Sequence, residues 1–382
     1  MNDFPNFSVA ASAKIPASAV PRSENDQTAW FRLARSRRVG PSTFIRLIRE
    51  HGSAAAALQA LPKVASEAGA RGYAPCSLEQ AVKEIEVGHK AGAQMLCLGA
   101  PDYPPLLALI PDPPPLLWAI GDPSLAKKPT VGLVGARNAS SIGQRMAAML
   151  ASDLGGAGFV IASGLARGVD TAAHKASLET GTIAVLAGGV ETVYPRENQK
   201  LWESLAEQGL VLSEAPIGTS PQARHFPKRN RIISGLSSGI VVIEGAAKSG
   251  SLITARNALD QGREVMAVPG SPLDPRASGC NMLLRDGAAL IRSGADVVEC
   301  LSGPVQPHLP LEVPSQPSPV PPAHTTNLED RIKSLLGTTP VPEDTVIRET
   351  ALPAPDIMEA IFDLELAGTI QRHPGGLISL AP

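Results

Sequence analysis

From residue 131 onward, short apolar runs rich in β-branched residues alternate with stretches of helical period. Val131-Gly132-Leu133-Val134-Gly135, Phe159-Val160-Ile161-Ala162, residues 183–187, 210–213, 240–243 and 265–268 read as strands buried on both faces. Helices are predicted between and after them over 141–157, 171–180, 198–208, 229–236 and 251–261. Strict alternation of strand and helix specifies an α/β fold, a doubly wound and mostly parallel sheet with right-handed crossovers. In such sheets ligands sit beyond the carboxyl ends of the strands, so the loops that follow each run are where chemistry is expected.

The pattern differs on either side of this block. Residues 1–24 carry no periodicity and are expected to form a mobile tail. Over 25–92, Trp30, Leu33, Phe44, Leu47 and Ile48 fall at helical spacing around the turn Val39-Gly40-Pro41, with further helices at 54–61 and 78–91. The result is similar to a helix-hairpin-helix or SAM-like module, with Arg35, Arg37, Arg38, Arg46 and Arg49 near a glycine turn that could hold a phosphate, or else a small packing domain with a solvated basic face. Over 93–127 the prolines of Tyr103-Pro104-Pro105 and Pro111-Asp112-Pro113-Pro114-Pro115 predict an extended strap rather than regular structure, lying along a domain that spans 93–301. Eight prolines lie within 302–326, which reads as a linker. Over 327–382, three short helices and a hairpin follow in winged-helix order; the third helix holds Asp356, Glu359, Asp363 and Glu365 and no Lys or Arg. Phosphates would repel such a helix, so this module is expected to contact protein or regulate.

Composition narrows the classes. With a net charge of −2, the chain is not one that coats duplex by bulk charge, and any nucleic-acid contact must come from a local patch. Aromatic residues make up 3%, which restricts base stacking to a few sites. Cys76, Cys97, Cys280 and Cys300 have no metal-binding spacing and read as reduced thiols of a cytoplasmic protein. No apolar run is long enough to span a membrane, and no secretory signal is apparent at the N-terminus.

The densest chemistry lies between residues 224 and 256. Arg224, Lys228, Arg229 and Arg231 fall within eight positions, and no acidic residue stands between Glu214 and Glu244. Their charges therefore have no local partner along the chain. A buried strand follows, then a small-residue turn and a helix starting near Ser251, a sequence that gathers backbone N–H groups and the positive end of a helix dipole into an anion site. Lys248 and Ser251 are placed to add donors. Phe226, between His225 and Pro227 in what reads as a polar loop, is a candidate platform for a base, or else a core residue. Arg229 and Arg231 are two apart on a helix and cannot face the same way, so one of them is expected to be structural. The turn from Gly164 to Gly168 could bind phosphate or merely allow close helix packing. Asp170 and His174, at i and i+4, could pose as a catalytic pair but more often orient a helix terminus. Gly132-x-x-Gly135 lacks dinucleotide-binding spacing, and no metal cluster, cofactor motif or nucleophile with an evident base is found.

Longer motifs carry a family resemblance. They include Ser163-Gly164-Leu165-Ala166-Arg167-Gly168-Val169-Asp170, Tyr194-Pro195, Phe226-Pro227-x-Arg229-Asn230-Arg231-Ile232-Ile233-Ser234-Gly235-Leu236-Ser237 and Ser249-Gly250-Ser251-Leu252-Ile253-Thr254-Ala255-Arg256. Over about 95–300, in chain order, the sequence resembles the DNA-processing protein family DprA, also called Smf. The resemblance implies a Rossmann-like fold and a homodimer that binds single-stranded DNA, protects it and loads the RecA recombinase during natural transformation. DNA contact is expected at Arg137, Ser163, Gly164, Arg167, Phe226, Lys228, Arg229, Asn230, Arg231, Lys248, Ser249, Gly250 and Ser251. One alternative is a nucleotide-processing enzyme similar to the cytokinin-activating phosphoribohydrolases, with Glu244 as the nearest carboxylate. Another is a scaffold whose basic loop docks an acidic protein.

Overall fold

The computed structural model describes residues 15–302 and 328–381, apart from positions 338, 351 and 374. Within residues 15–302, four helices come first: α1 (Glu24–Arg35), α2 (Pro41–His51), α3 (Ala54–Glu67) and α4 (Leu78–Lys90). Then β1 (Gln94–Cys97), the short α5 (Pro105–Ala108) and β2 (Leu116–Gly121) lead into the alternating block. That block runs β3 (Thr130–Gly135), α6 (Ser141–Gly156), β4 (Val160–Ser163), α7 (Val169–Ala176), β5 (Thr182–Val185), α8 (Gln199–Gln208) and β6 (Leu210–Ser213). It continues through α9 (His225–Leu236), β7 (Gly239–Ile243), α10 (Gly250–Asp260), β8 (Glu264–Ala267), α11 (Ser278–Arg285), β9 (Ala289–Leu290) and α12 (Gly294–Ser302).

The nine strands form one sheet in the order β1-β2-β6-β5-β4-β3-β7-β8-β9. From β6 to β9 every pairing is parallel, while β1 and β2 add antiparallel pairs at one side. The strand order reverses between β3 and β7, so the crevice expected of a doubly wound sheet opens beyond Gly135 and Ile243. The α/β, doubly wound, mostly parallel fold read from the sequence is the fold observed.

Two expectations need correction. Residues 93–127 are no simple strap: β2, wholly buried from Leu116 to Ile120, pairs with both β1 and β6. The prolines stop at Pro115, and the six residues after it are free to donate into the ladder. The tail expected over 1–24 also ends early, because Ile15 and Ala19 are buried, and Ile15 and Val20 lie against Gly99. Residues 1–14 of that tail and 303–326 of the expected linker lie outside the described residues.

The helical N-terminal module shares a core with the sheet. Trp118 of β2 is fully buried, edge-on to Phe31 at 6.0 Å, and its ring fills the space beside Gly88 where a Cβ would overlap it. Trp30 Nε1 donates to the Pro115 carbonyl (2.8 Å). Arg35 binds Glu84 and the Glu214 carbonyl, tying α1 to the end of β6. These contacts bring the Gly40 turn to the rim of the sheet.

Residues 328–381 form α13 (Leu328–Leu335), β10 (Val341–Pro342), α14 (Glu343–Thr350), α15 (Ala354–Leu366), β11 (Ile370–His373) and β12 (Leu377–Leu380), the strands ordered β10-β12-β11. Ile357, Ile361 and Leu364 of α15 fill this small core, while Met358, Phe362 and Leu366 are exposed on another face.

Candidate nucleic-acid interface

A cavity of about 430 Å³ opens at the point where strand order reverses, lined from the β3 and β7 ends and from α9 and α10. Helix α9 begins at His225, earlier than the sequence pattern indicated, with Pro227 in its first turn, where a missing N–H costs nothing. Phe226 therefore sits on a helix rather than in a loop. Arg137, exposed just beyond β3, lies over the Phe226 ring with its guanidinium carbon 4.8 Å from the centroid, and Tyr194 flanks the ring at 5.9 Å. Such cation–π geometry holds a cation beside an aromatic face. Among the described residues Arg137 makes no ion pair.

On the opposite wall, the start of α10 is bare. Its N-cap, Ser249, makes no side-chain cap, because its hydroxyl is shared with Ser251 Oγ at 2.7 Å. Among the described residues no side chain caps the N–H groups of Gly250 and Ser251, which line the cavity, while Leu252 N donates to the Ser249 carbonyl (3.2 Å). A Cβ added at Gly250 would meet no atom within 4 Å, so a ligand can approach that backbone closely. Asn230 braces this wall, donating to the Gly250 carbonyl (3.2 Å) and accepting from Arg229 Nε (3.2 Å).

Arg229 is buried, 6% exposed, and donates through Nη1 to the carbonyls of Gly164 (2.6 Å) and Val185 (2.5 Å). Burial pushes its pKa down to about 10, opposed by Asp170 and reinforced by Arg137, so it keeps its charge at neutral pH. Asp170 in turn accepts from Gly164 N (3.1 Å) and Ala166 N (3.2 Å), with burial raising its pKa against the pull of Arg229. Two donors of the 164–168 turn, the N–H groups of Gly164 and Ala166, are thus spent inside the protein. Gly168, at φ 73°, lies so near the Ala136 carbonyl that no side chain fits, which is the close packing a glycine turn can serve. His174 makes no hydrogen bond with Asp170: its Nδ1 lies 2.7 Å from Thr182 Oγ1, whose hydroxyl donates to the Ile161 carbonyl. The i, i+4 pair is structural.

The thirteen expected residues therefore separate. Arg137, Phe226, Arg229, Asn230, Ser249, Gly250 and Ser251 line one cavity. Ser163 and Gly164 are buried behind it, Ser163 Oγ donating to the Leu133 carbonyl. Arg167 pairs with Glu197, and Lys248 is exposed in the loop before α10, outside the lining. Arg231 contradicts the expectation of an unpartnered charge: its Nη2 meets both Glu214 oxygens at 2.7 Å and its Nε lies 3.2 Å from Asp112 Oδ2. Glu214 ends the strand before the basic helix and Asp112 lies 119 positions away, so proximity in space supplied partners that proximity in sequence did not. Lys228 is exposed and faces a second cavity, of about 420 Å³, between α9, the β5 and β6 ends and the Gly40 turn. Sequence reasoning passed over Asn138, Thr254 and Arg276, which line the first cavity. The rule that sites gather beyond strand ends could have found Asn138 after β3 and Arg276 after β8.

Glu244, at φ 50°, turns its carboxylate onto the start of α6, where Ser140 N (2.8 Å) and Ser140 Oγ both donate to it. It does not line the cavity.

Comparison with known proteins gives the following. A family model described as DNA recombination-mediator protein A matches residues 94–302; a DprA-like N-terminal HHH domain matches 24–87 and a DprA winged helix domain 316–376. The chain is 33% identical to a Smf protein of Synechocystis over 394 residues, covering 92% of this chain and 98% of that protein. It is 49% identical to the DNA processing protein DprA of Bacillus subtilis over 177 residues, 46% of this chain and 60% of that one. The solved structure of Streptococcus pneumoniae DprA superposes with a TM-score of 0.61 at 34% identity, covering 73% of this chain and 98% of that chain. DNA processing protein A of Helicobacter pylori, studied for its single-stranded DNA binding mode, gives 0.51 at 30% identity over 55% of this chain and 97% of its own.

Proposed function

Since the chain belongs to the DNA recombination-mediator protein A family, the DprA/Smf group, we propose that it binds single-stranded DNA without regard to sequence and does no chemistry on it. One observation carries this reading: an unpaired arginine held over an aromatic ring faces the uncapped start of a helix across one cavity, at the reversal of the sheet. Phosphate oxygens suit the bare N–H groups and the guanidinium, and a base face suits Phe226. Neither group selects a base, because every nucleotide has a phosphate and a π-face.

On the same reading the bound strand is protected, a homodimer is the working unit, and the protein loads RecA on incoming DNA in the cytoplasm during natural transformation. The acidic, partly apolar α15 leaves the winged-helix module to protein contact. The enzymatic alternative loses support from Glu244, whose carboxylate is taken up by Ser140.

The test is a titration with a labelled oligonucleotide, single- and double-stranded, at several salt concentrations. Neutralising about four to six phosphates gives a log–log salt slope near −3 to −4 for single strands. A slope near zero, or tighter binding of duplex, would overturn the assignment.

A further inference from the structure

The second cavity has a different chemistry from the first, and nothing in the family comparison assigns it. Its walls are apolar, from Pro41, Leu186, Pro216 and Ile232 among others. Two acids line it beside three cations: Arg231 is held by Glu214 and by Asp112, Arg229 donates to backbone carbonyls, and Lys228 is left exposed. The carboxylates leave acceptors rather than donors at the surface, for Asp112 gives only Oδ2 to Arg231 and Oδ1 accepts nothing among the described residues. Lys228 and His225 stand at the rim. A phosphate meets an available cation at the rim, at Lys228, since Arg231 is already paired on that floor. A flat heterocycle with an N–H edge fits it: apolar faces against proline and aliphatic walls, and an amino group toward a carboxylate.

Position connects the two cavities. On α9, Phe226, Asn230 and Ile233 recur at i, i+4 and i+7 and line the first, whereas His225, Lys228 and Ile232 recur at i, i+3 and i+7 and line the second. Arg229 borders both. A strand that lays its phosphates along the first cavity has only one helix to cross to reach the other.

Resting on the single-strand reading above, we propose that the cavity between the Gly40 turn and α9 receives an extruded nucleobase of the bound strand. We further propose that Asp112 makes this pocket favour bases with an exocyclic amino group. Cytosine offers N4–H₂ to the free carboxylate oxygen; thymine sets a carbonyl oxygen there instead, and two acceptors repel. Binding as a whole thus acquires a mild base preference from a pocket across α9 from the first cavity.

The experiment compares oligo(dC) and oligo(dT) of equal length on the full chain at neutral pH, with Asp112→Asn, Arg137→Ala, and Thr219→Trp, at a residue lining this cavity, to fill it. The wild type is expected to prefer oligo(dC) roughly three- to tenfold, the discrimination one added hydrogen bond gives. Asp112→Asn leaves the Glu214–Arg231 pair in place and should bring the ratio to about one, as should Thr219→Trp; Arg137→Ala should weaken both ligands while keeping the ratio. A wild-type ratio of one, or a ratio that survives both cavity variants, overturns the subsite while leaving single-strand binding intact. Failure of both homopolymers to bind overturns the single-strand reading itself, and the subsite with it.

Discussion

The two cavities flanking α9 share a helix, a wall and nearly the same volume, yet the ion-paired acids Asp112 and Glu214 line only the second. The difference comes from where carboxylates arrive in space. In the first cavity the acid among the lining residues, Asp170, is buried and occupied by backbone donors, so among the described residues Arg137 has no ion pair. Around Lys228, Asp112 and Glu214 cancel Arg231. A run of four cations within eight residues is thus not one patch. Helical geometry deals its members to different faces, and tertiary contacts then decide which remain electrostatically available.

Because Arg229 forms the shared wall, its loss should break both cavities at once. Arg229→Ala removes donors from two buried carbonyls and leaves Asp170 without its cation, a change of roughly 3–5 kcal/mol when a buried charge loses its partner. Chemical denaturation should show that loss, with oligonucleotide binding abolished. A variant that keeps wild-type stability would mean the wall is held by something other than this guanidinium.

Acid probes the same wall from behind. His174 is fully buried, and burial, helped by Arg229, lowers its pKa to about 3 from an ordinary 6.5. With Thr182 Oγ1 already donating elsewhere, Nδ1 carries the proton and Nε2 is a buried lone pair without a partner. The folded value lies below the unfolded one, so this contribution to stability is complete above pH 6.5 and is lost as pH falls toward 3. The unfolded chain binds a proton that the folded chain refuses, at about 1.4 kcal/mol per pH unit and near 2 kcal/mol by pH 5. His174→Gln should therefore lose less stability than the wild type between pH 6.5 and 5, in urea midpoints measured at each pH. Parallel curves would show that His174 charges freely in the folded state.

Much of this was legible before any coordinates. Parallel strands buried on both faces are apolar at every position, which is why β3, β4, β5, β6, β7 and β8 stood out and the fold followed. Strand β2 was obscured by the prolines that end one residue before it. At the candidate site, the loops after β3 and β7 that sequence singled out do line one cavity, because strand ends converge in this fold, and sequence anticipated that one of Arg229 and Arg231 would be structural. In fact both are bound up, one by carbonyls and one by carboxylates. Burial of an arginine leaves no mark on a helix flanked by other cations, and ion pairs spanning 119 positions follow from topology rather than spacing. Ser163 and Gly164 looked like phosphate donors for the same reason: a small-residue turn reads alike whether its N–H groups face solvent or Asp170.

The finest resolution of the comparison comes from its two exposed cations. If both Arg137 and Lys228 neutralise a phosphate, alanine at either position flattens the log–log salt slope by about 0.7, the amount for one contact on a single strand. Slope alone then cannot tell the cavities apart, but the intercept can. Near 1 M salt the Debye length shrinks to about 3 Å and simple charge pairing fades. Lys228, which lies over no aromatic ring among the described residues, has little else to lose there, and its variant should converge on wild-type affinity. Arg137 is also the group lying over Phe226, so its removal uncovers a ring face and loosens the stacking platform as well as the charge. That variant should remain several-fold weaker at high salt, since a base stacked on an aromatic ring is worth about 1–3 kcal/mol and part of this depends on how the ring is held. Equal convergence of the two would mean that Arg137 acts as a bare charge and that the ring beneath it does not meet the strand.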